Sequence, residues 1–209
     1  KFIMIQLPEP CPENSEALRA DYKTIADIGK ERIRRVIKKI QEERADKEAE
    51  GQLPGMEEEN SDIDLGFKVF KLDRSNFKLW DGSNADATED EIKEQLELHI
   101  DHIDPEASQE DILYELLLKA GFMPAEKVGE IELAGKMVYS IGEGGLLICL
   151  EDEITRELID AVAEVEPKTF ICLDRGFQGN DQLKANAVQT FSALNQDREK
   201  TKQIVFRTV

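Results

Sequence analysis

Towards its C-terminal end the sequence alternates short, continuously apolar runs with amphipathic stretches, and that alternation limits the possible fold more than any other feature. The runs are GGLLICLE, TFICLD and QIVFRTV; between them lie 154–165 and DQLKANAVQTFSAL, whose apolar residues recur at helical spacing. A strand that is apolar at every position has to be covered on both faces, as the strands of parallel sheets are. Strand, helix, strand, helix, strand at this spacing gives βαβ units with right-handed crossovers. Just upstream, EIELAGKMVYSI reads as a hairpin turning at Ala134 and Gly135. The expected class is therefore α/β, with βαβ units in a mixed sheet. Glu143 to Gly145 stands before a strand rather than between a strand and a helix, so it reads as a turn and not as a phosphate cradle.

The preceding half divides into three zones. KFIMIQL reads as a buried strand over 2–7, broken by Pro8, Pro10 and Pro12. TIADIGKERIRRVIKKI follows as a helix, with Thr24 as N-cap and Ile25, Ile28, Ile33, Val36, Ile37 and Ile40 on one face. Residues 41–64 are charged, contain Gly and Pro, and have almost nothing apolar to bury, which predicts a flexible acidic linker, either at once or after an extension of the preceding helix. From 65, GFKVFKL and NFKLWDG suggest two short strands around a turn at 73–76. A helix is expected over 88–103 with Ile92, Leu96, Ile100 and Ile103 on its face. A second begins at Ser108, with Asp111 three residues on, and ends at Gly121. The expected domains are 1–40, a strand plus helix; 41–64, the linker; and 65–209, the α/β domain. A chain that opens on Lys1 inside a strand, with no initiator Met, reads as a piece of a longer polypeptide.

Charge and composition narrow the chemistry. The chain has 209 residues and a net charge of -18, so the phosphate backbone repels it except where basic residues gather on one face. The one dense basic stripe is Lys30, Arg32, Arg34, Arg35, Lys38 and Lys39; it faces either nucleic acid or solvent. No apolar run approaches the ~20 residues of a membrane span, and the N-terminal residues lack a cleavage pattern. Cys11, Cys149 and Cys172 have no CxxC spacing and read as buried free thiols in a reducing cytoplasm. His99 and His102 are too few for a metal site by themselves. Two carboxylate clusters stand at strand ends: Glu151, Asp152 and Glu153, and then Asp174 with Arg175, Asn180 and Asp181. They would suit Mg²⁺ in a stand-alone nuclease built on Glu151, Asp152 and Asp174. Alternatively Asp152 or Glu153 caps the next helix, and Asp174 pairs locally with Arg175. A non-catalytic adaptor working through 41–64 is the third possibility.

KFIMIQLPEP, DYKTIADIGKERIRRVIKKI and LGFKVFKLDRSNFKLWDG together resemble the modification subunits of type III restriction systems. SQEDILYELLLKAGF, GGLLICLEDEITRELI and FICLDRGFQGNDQLKANAVQTF resemble the C-terminal region of the same subunits, and 41–64 is the part least like them. That resemblance implies an adenine-N6-specific DNA methyltransferase using S-adenosylmethionine, which flips its target base out of the duplex. The family's catalytic Asp-Pro-Pro-Tyr motif, its target-recognition region and its Phe-x-Gly-x-Gly cofactor loop all precede the part that resembles this chain. The implied fold is the remnant of a Rossmann-like methyltransferase sheet followed by a C-terminal α/β domain. The implied role is dimerisation and assembly by a fragment that carries no catalytic residue. The implied partners are a second modification subunit in a homodimer, a restriction helicase–nuclease subunit, and double-stranded DNA through the parent enzyme. One cofactor contact follows by position: Gln6 stands where the family usually places an acid on the cofactor ribose. An amide can make one hydrogen bond to a hydroxyl; Gln6 is otherwise a strand-end polar residue.

Overall fold

The computed structural model describes residues 3–49, 64–78, 88–98, 102–196 and 198–209. The chain divides into two compact units, Lys1–Val69 and Phe70–Val209.

In the first unit, 9–11 and 23–25 run side by side around a short helix α1 (Glu16–Arg19), with Ile25 N donating to Glu9 O and Cys11 N to Lys23 O, both 2.9 Å. Helix α2 (Ile25–Ala49) then begins with a reciprocal cap. Asp27 N donates to Thr24 Oγ1 at 3.2 Å, and Thr24 N and Oγ1 donate to Asp27 Oδ2 at 3.0 and 2.8 Å. The hydrogen bonds from Lys30 and then Thr24 hold the Asp27 carboxyl down at about 2. Thr24 thus caps the helix as its sequence predicts. The helix runs on to Ala49, extending into the acidic segment as the sequence allows; 50–63 lies outside the described residues.

The strand expected over 2–7 is not formed at 3–7, and Phe2 lies outside the described residues. Strands are stable only in a ladder, and none of the described residues offers 3–7 a partner. Ile5 is 92% exposed and Leu7 68%. The isoleucine stripe of α2 fares little better, with Val36 half exposed and Ile28, Ile33, Ile37 and Ile40 only partly covered. Among the described residues of this unit, Cys11 is the one buried hydrophobic side chain.

The second unit has the core that the first lacks. Strands β1 (Val128–Leu133), β2 (Lys136–Ile141), β3 (Leu146–Cys149), β4 (Thr169–Cys172) and β5 (Val205–Thr208) form one mixed sheet in sequential order. The first three pair antiparallel and the last three parallel, as the sequence predicts. Ala134 and Gly135 turn the β1–β2 hairpin with φ of 49° and 75°, the positive values that a two-residue type I′ loop needs. Glu143 and Gly144, with φ of 58° and 85°, turn β2 into β3.

Both faces of β3 and β4 are covered. Leu147, Cys149, Phe170 and Cys172 face helices α5 (Arg156–Val165) and α6 (Asp181–Asn195), packing with Leu158, Val162, Ala187 and Phe191. Leu146, Ile148 and Ile171 face α4 (Gln109–Lys119), whose Ile112, Leu113, Leu116 and Leu117 form one stripe. Helix α4 starts on Ser108, whose Oγ accepts from Asp111 N at 3.1 Å. It ends at Gly121, φ 87°, with Gly121 N on Leu118 O and Phe122 N on Leu117 O, the paired bonds of a Schellman cap. Helix α3 (Glu89–Leu98) is shorter than the 88–103 expected, and Ile100 lies outside the described residues. Ile103 leaves the helical pattern to bridge Phe77, and is buried on the α4 side of the sheet. Of the two short strands expected around 73–76, GFKVFKL is not a strand, and the described part of NFKLWDG contributes that single bridge at Phe77. Phe70 and Leu72 are exposed, and Leu79 and Trp80 lie outside the described residues.

The position of the core gives a first prediction. Phe170→Ala should cost about 3–5 kcal/mol in urea unfolding, whereas Ile5→Ala should stay within about 0.5 kcal/mol. Equal losses from the two would mean that the first unit buries Ile5 after all.

Candidate functional site

In α/β sheets the carboxyl ends of parallel strands are where ligands collect, and both predicted carboxylate clusters lie there. The β3–α5 and β4–α6 turns meet tightly. Ile154 N donates to Gly176 O at 2.8 Å, and a Cβ on Gly176 would lie 2.8 Å from Ile154 Cγ1 and 3.0 Å from Glu151 O. Asp174 N donates to Val209 O at 2.6 Å, tying the end of β5 to the same turn. A crevice between the strand ends is closed by this packing.

The carboxylates are each engaged separately. Asp152 Oδ1 lies 3.2 Å from Arg175 Nη2, and its carbonyl accepts from Gln178 Nε2 at 3.2 Å. Asp174 pairs with Lys184 rather than with Arg175. Glu153 accepts from Lys136 Nζ at 2.8 Å, a bond that lowers the Glu153 pKa and raises that of the lysine. Glu151 Oε1 accepts from Met137 N at 3.3 Å, prolonging the β2–β3 edge. Among the described residues no group of three or more His, Cys, Asp or Glu side chains converges as metal ligands. The nuclease arrangement of Glu151, Asp152 and Asp174 therefore does not assemble. Neither Asp152 nor Glu153 caps α5: Thr155 does, its Oγ1 accepting from Leu158 N at 3.2 Å. A hydroxyl one residue before the helix reaches that amide more directly than a carboxylate placed further back. Asn180 caps α6 in the same way.

Gln6 is exposed and its Nε2 donates to Leu7 O at 3.2 Å. Two shallow hollows, of about 560 and 480 Å³, lie at the C-terminal part of α2 and between α5 and α6. Neither includes Gln6.

The basic stripe of α2 is largely paired along its own helix. Lys30 meets Asp27 at 2.7 Å, Arg35 meets Glu31 at 2.8 Å, and Lys38 and Lys39 each lie 3.6 Å from Glu42 and Glu43. Arg34 stands over the Phe67 ring at 6.0 Å. Exposed pairs of this kind are weak, but they lower the local positive potential that DNA contact requires. All three cysteines are free and buried, as expected. Cys149 and Cys172 are register partners on β3 and β4, and burial pushes both thiols up, away from the reactive thiolate. His102 stacks on Phe77 with centroids 5.7 Å apart, and His99 lies outside the described residues.

Among the described residues, the most heavily bonded acid of the second unit is one that sequence patterns did not single out. Glu115, on α4, accepts from Ser75 Oγ at 2.5 Å and from Asn76 N and Nδ2 at 2.7 and 2.8 Å, with Lys119 Nζ at 2.8 Å. Its burial works to raise the pKa, but bonds from Lys119, Ser75 and Asn76 outweigh it and hold the carboxyl at about 2. Comparison with protein-family models finds no match, and no curated protein matches the chain. Among the described residues, no helix is long and apolar enough to cross a membrane.

Two outcomes follow. Gly176→Ala should destabilise the second unit by about 1–3 kcal/mol in urea, because Ile154 and the Glu151 carbonyl leave no room for a methyl group. The second concerns acid. Glu115 has a folded-state pKa below its ordinary 4.5, so its stabilisation is full above that value and is lost as pH falls towards about 2. Glu115→Gln should lower stability at neutral pH and narrow its gap to the native protein over that window. A gap that stays constant down to pH 2 would show that folding does not hold the Glu115 pKa below its ordinary value.

Proposed function

We propose that this chain is the C-terminal portion of the modification subunit of a type III restriction–modification system, a site-specific adenine-N6 DNA methyltransferase. In this reading the first unit belongs to the methyltransferase sheet of the parent subunit. The α/β unit serves dimerisation and assembly with the restriction helicase–nuclease subunit. No catalytic step is assigned to the chain, and S-adenosylmethionine is held by the parent enzyme, with Gln6 as the nearest candidate contact.

Two lines support the reading. The resemblance runs in order through most of the chain, from KFIMIQLPEP to the block ending in NAVQTF. The observation that carries most weight is the imbalance between the units. The sequence of 3–7 and the isoleucine stripe of α2 are patterned for burial, yet Ile3, Met4, Ile5, Leu7 and Val36 are all more than half exposed. Surface of that composition calls for a covering partner, and a parallel sheet provides one by pairing strands and packing a helix over them. The acidic charge of the chain suits protein contact better than direct DNA contact.

The test is reconstitution. This chain is mixed with a type III methyltransferase portion that carries the Asp-Pro-Pro-Tyr and Phe-x-Gly-x-Gly motifs, and S-adenosylmethionine is titrated calorimetrically. The chain alone should give no heat at millimolar cofactor. The mixture should co-elute as one complex and bind cofactor, more weakly with Gln6→Ala. Failure of the two parts to associate would overturn the reading.

A further inference from the structure

The segment 73–78 stands out because its bonds converge on one side chain. Phe70 meets the Tyr114 ring edge-on at 4.8 Å, Leu72 is 99% exposed, and the polar contacts gather immediately after it. Arg74 Nη2 spans Asp104 at 2.9 Å and Glu106 at 3.4 Å. Ser75 Oγ and both nitrogens of Asn76 then donate to the two oxygens of Glu115, while Lys119 neutralises that carboxylate and stands 4.3 Å from the centroid of the Phe77 ring. Asn76 O accepts from Asp104 N at 2.8 Å and Lys78 N donates to His102 O at 2.7 Å. Phe77 itself packs with the apolar cluster on the α4 side of the sheet, beside buried Ile103.

Four donors on two carboxylate oxygens use nearly all the acceptor capacity that a Glu side chain has. The Glu115 side chain is only 16% exposed, so water competes poorly for those positions. Losing the ionised acceptor leaves Ser75 and both Asn76 donors short of partners at once. The interactions of 74–77 are thus coupled through one group, rather than spread as independent contacts.

We propose that 73–78 is a strap latched onto the α/β unit by Glu115, opening and closing as a single local unit. Ser75 and Asn76 are its positioning residues: they fix where the strap seats on α4. Closed, the strap covers the α4 side of the sheet with Phe77; open, it uncovers that apolar surface without unfolding β3 and β4. This inference does not depend on the methyltransferase reading, because it rests on contacts within Phe70–Val209 alone.

Hydrogen exchange on the intact chain tests it. The reporters are the amides of Asn76, Lys78 and Asp104, all bonded in the closed strap, and the amides of β3 and β4 serve as the reference. In Glu115→Gln the three strap amides should accelerate together, by about tenfold to a hundredfold, as expected for loss of a charged acceptor. The β3 and β4 amides should keep their native rates. The double variant Ser75→Ala, Asn76→Ala removes side-chain donors from the strap side and leaves α4 intact, so it decides the matter if Glu115→Gln fails to fold. Strap amides that do not change, that change independently, or that change by the same factor as β3 and β4 would overturn the proposal.

Discussion

The parallel pairing of β3 with β4 imposes a demand that the rest of the second unit exists to meet. Seven of the eight residues in these two strands are buried, so neither strand has a face that tolerates water. One face is closed by α5 and α6, the other by α4 and the residues around Ile103. The aromatic side chains of Phe170, Phe191 and Phe206 meet at centroid distances of 5.1 to 6.0 Å and join the pair to α6 and β5. Asn195 fixes the return into β5, its side chain bonding both the N and O of Ile204 at 2.8 Å. Between the strand ends the two turns pack so closely that Gly176 has no room for a methyl group against Ile154 and the Glu151 carbonyl.

The first unit obeys the opposite condition. It has helix-forming sequence, a reciprocal N-cap at Thr24 and Asp27, and i to i+4 ion pairs, all of them local devices. Such ion pairs stabilise a helix by a few tenths of a kcal/mol each and such a cap by about 1 kcal/mol, and neither replaces burial of an apolar stripe. The contrast between a unit that covers its own apolar surface and one that leaves it exposed is what supports the proposed function structurally.

What was legible in the sequence was what local pattern controls. Continuous apolar runs placed β3 and β4, Ala134 and Gly135 placed the hairpin, and Ser108 and Gly121 placed both ends of α4. No strand forms at 3–7 or 66–72, because an apolar or alternating run states only that a segment suits a ladder, not that a neighbour is present to form one. Helix α3 was drawn too long because Ile103 fits a helical stripe, while its burial against α4 decides its place. The strand-end acids looked like a metal site because their sequence neighbours said nothing of Lys136 or Lys184, which engage Glu153 and Asp174. Glu115 was invisible for the same reason: its donor Ser75 lies 40 residues away, and no short motif joins them.

Limited proteolysis of the intact chain, read by mass spectrometry, tests the central contrast most directly. The account predicts a resistant fragment that starts between residues 50 and 73 and reaches Val209, with 3–49 cut early along α2. A fragment containing α2 that survives as long as the α/β unit would contradict it, because α2 would then be covered by a core of its own.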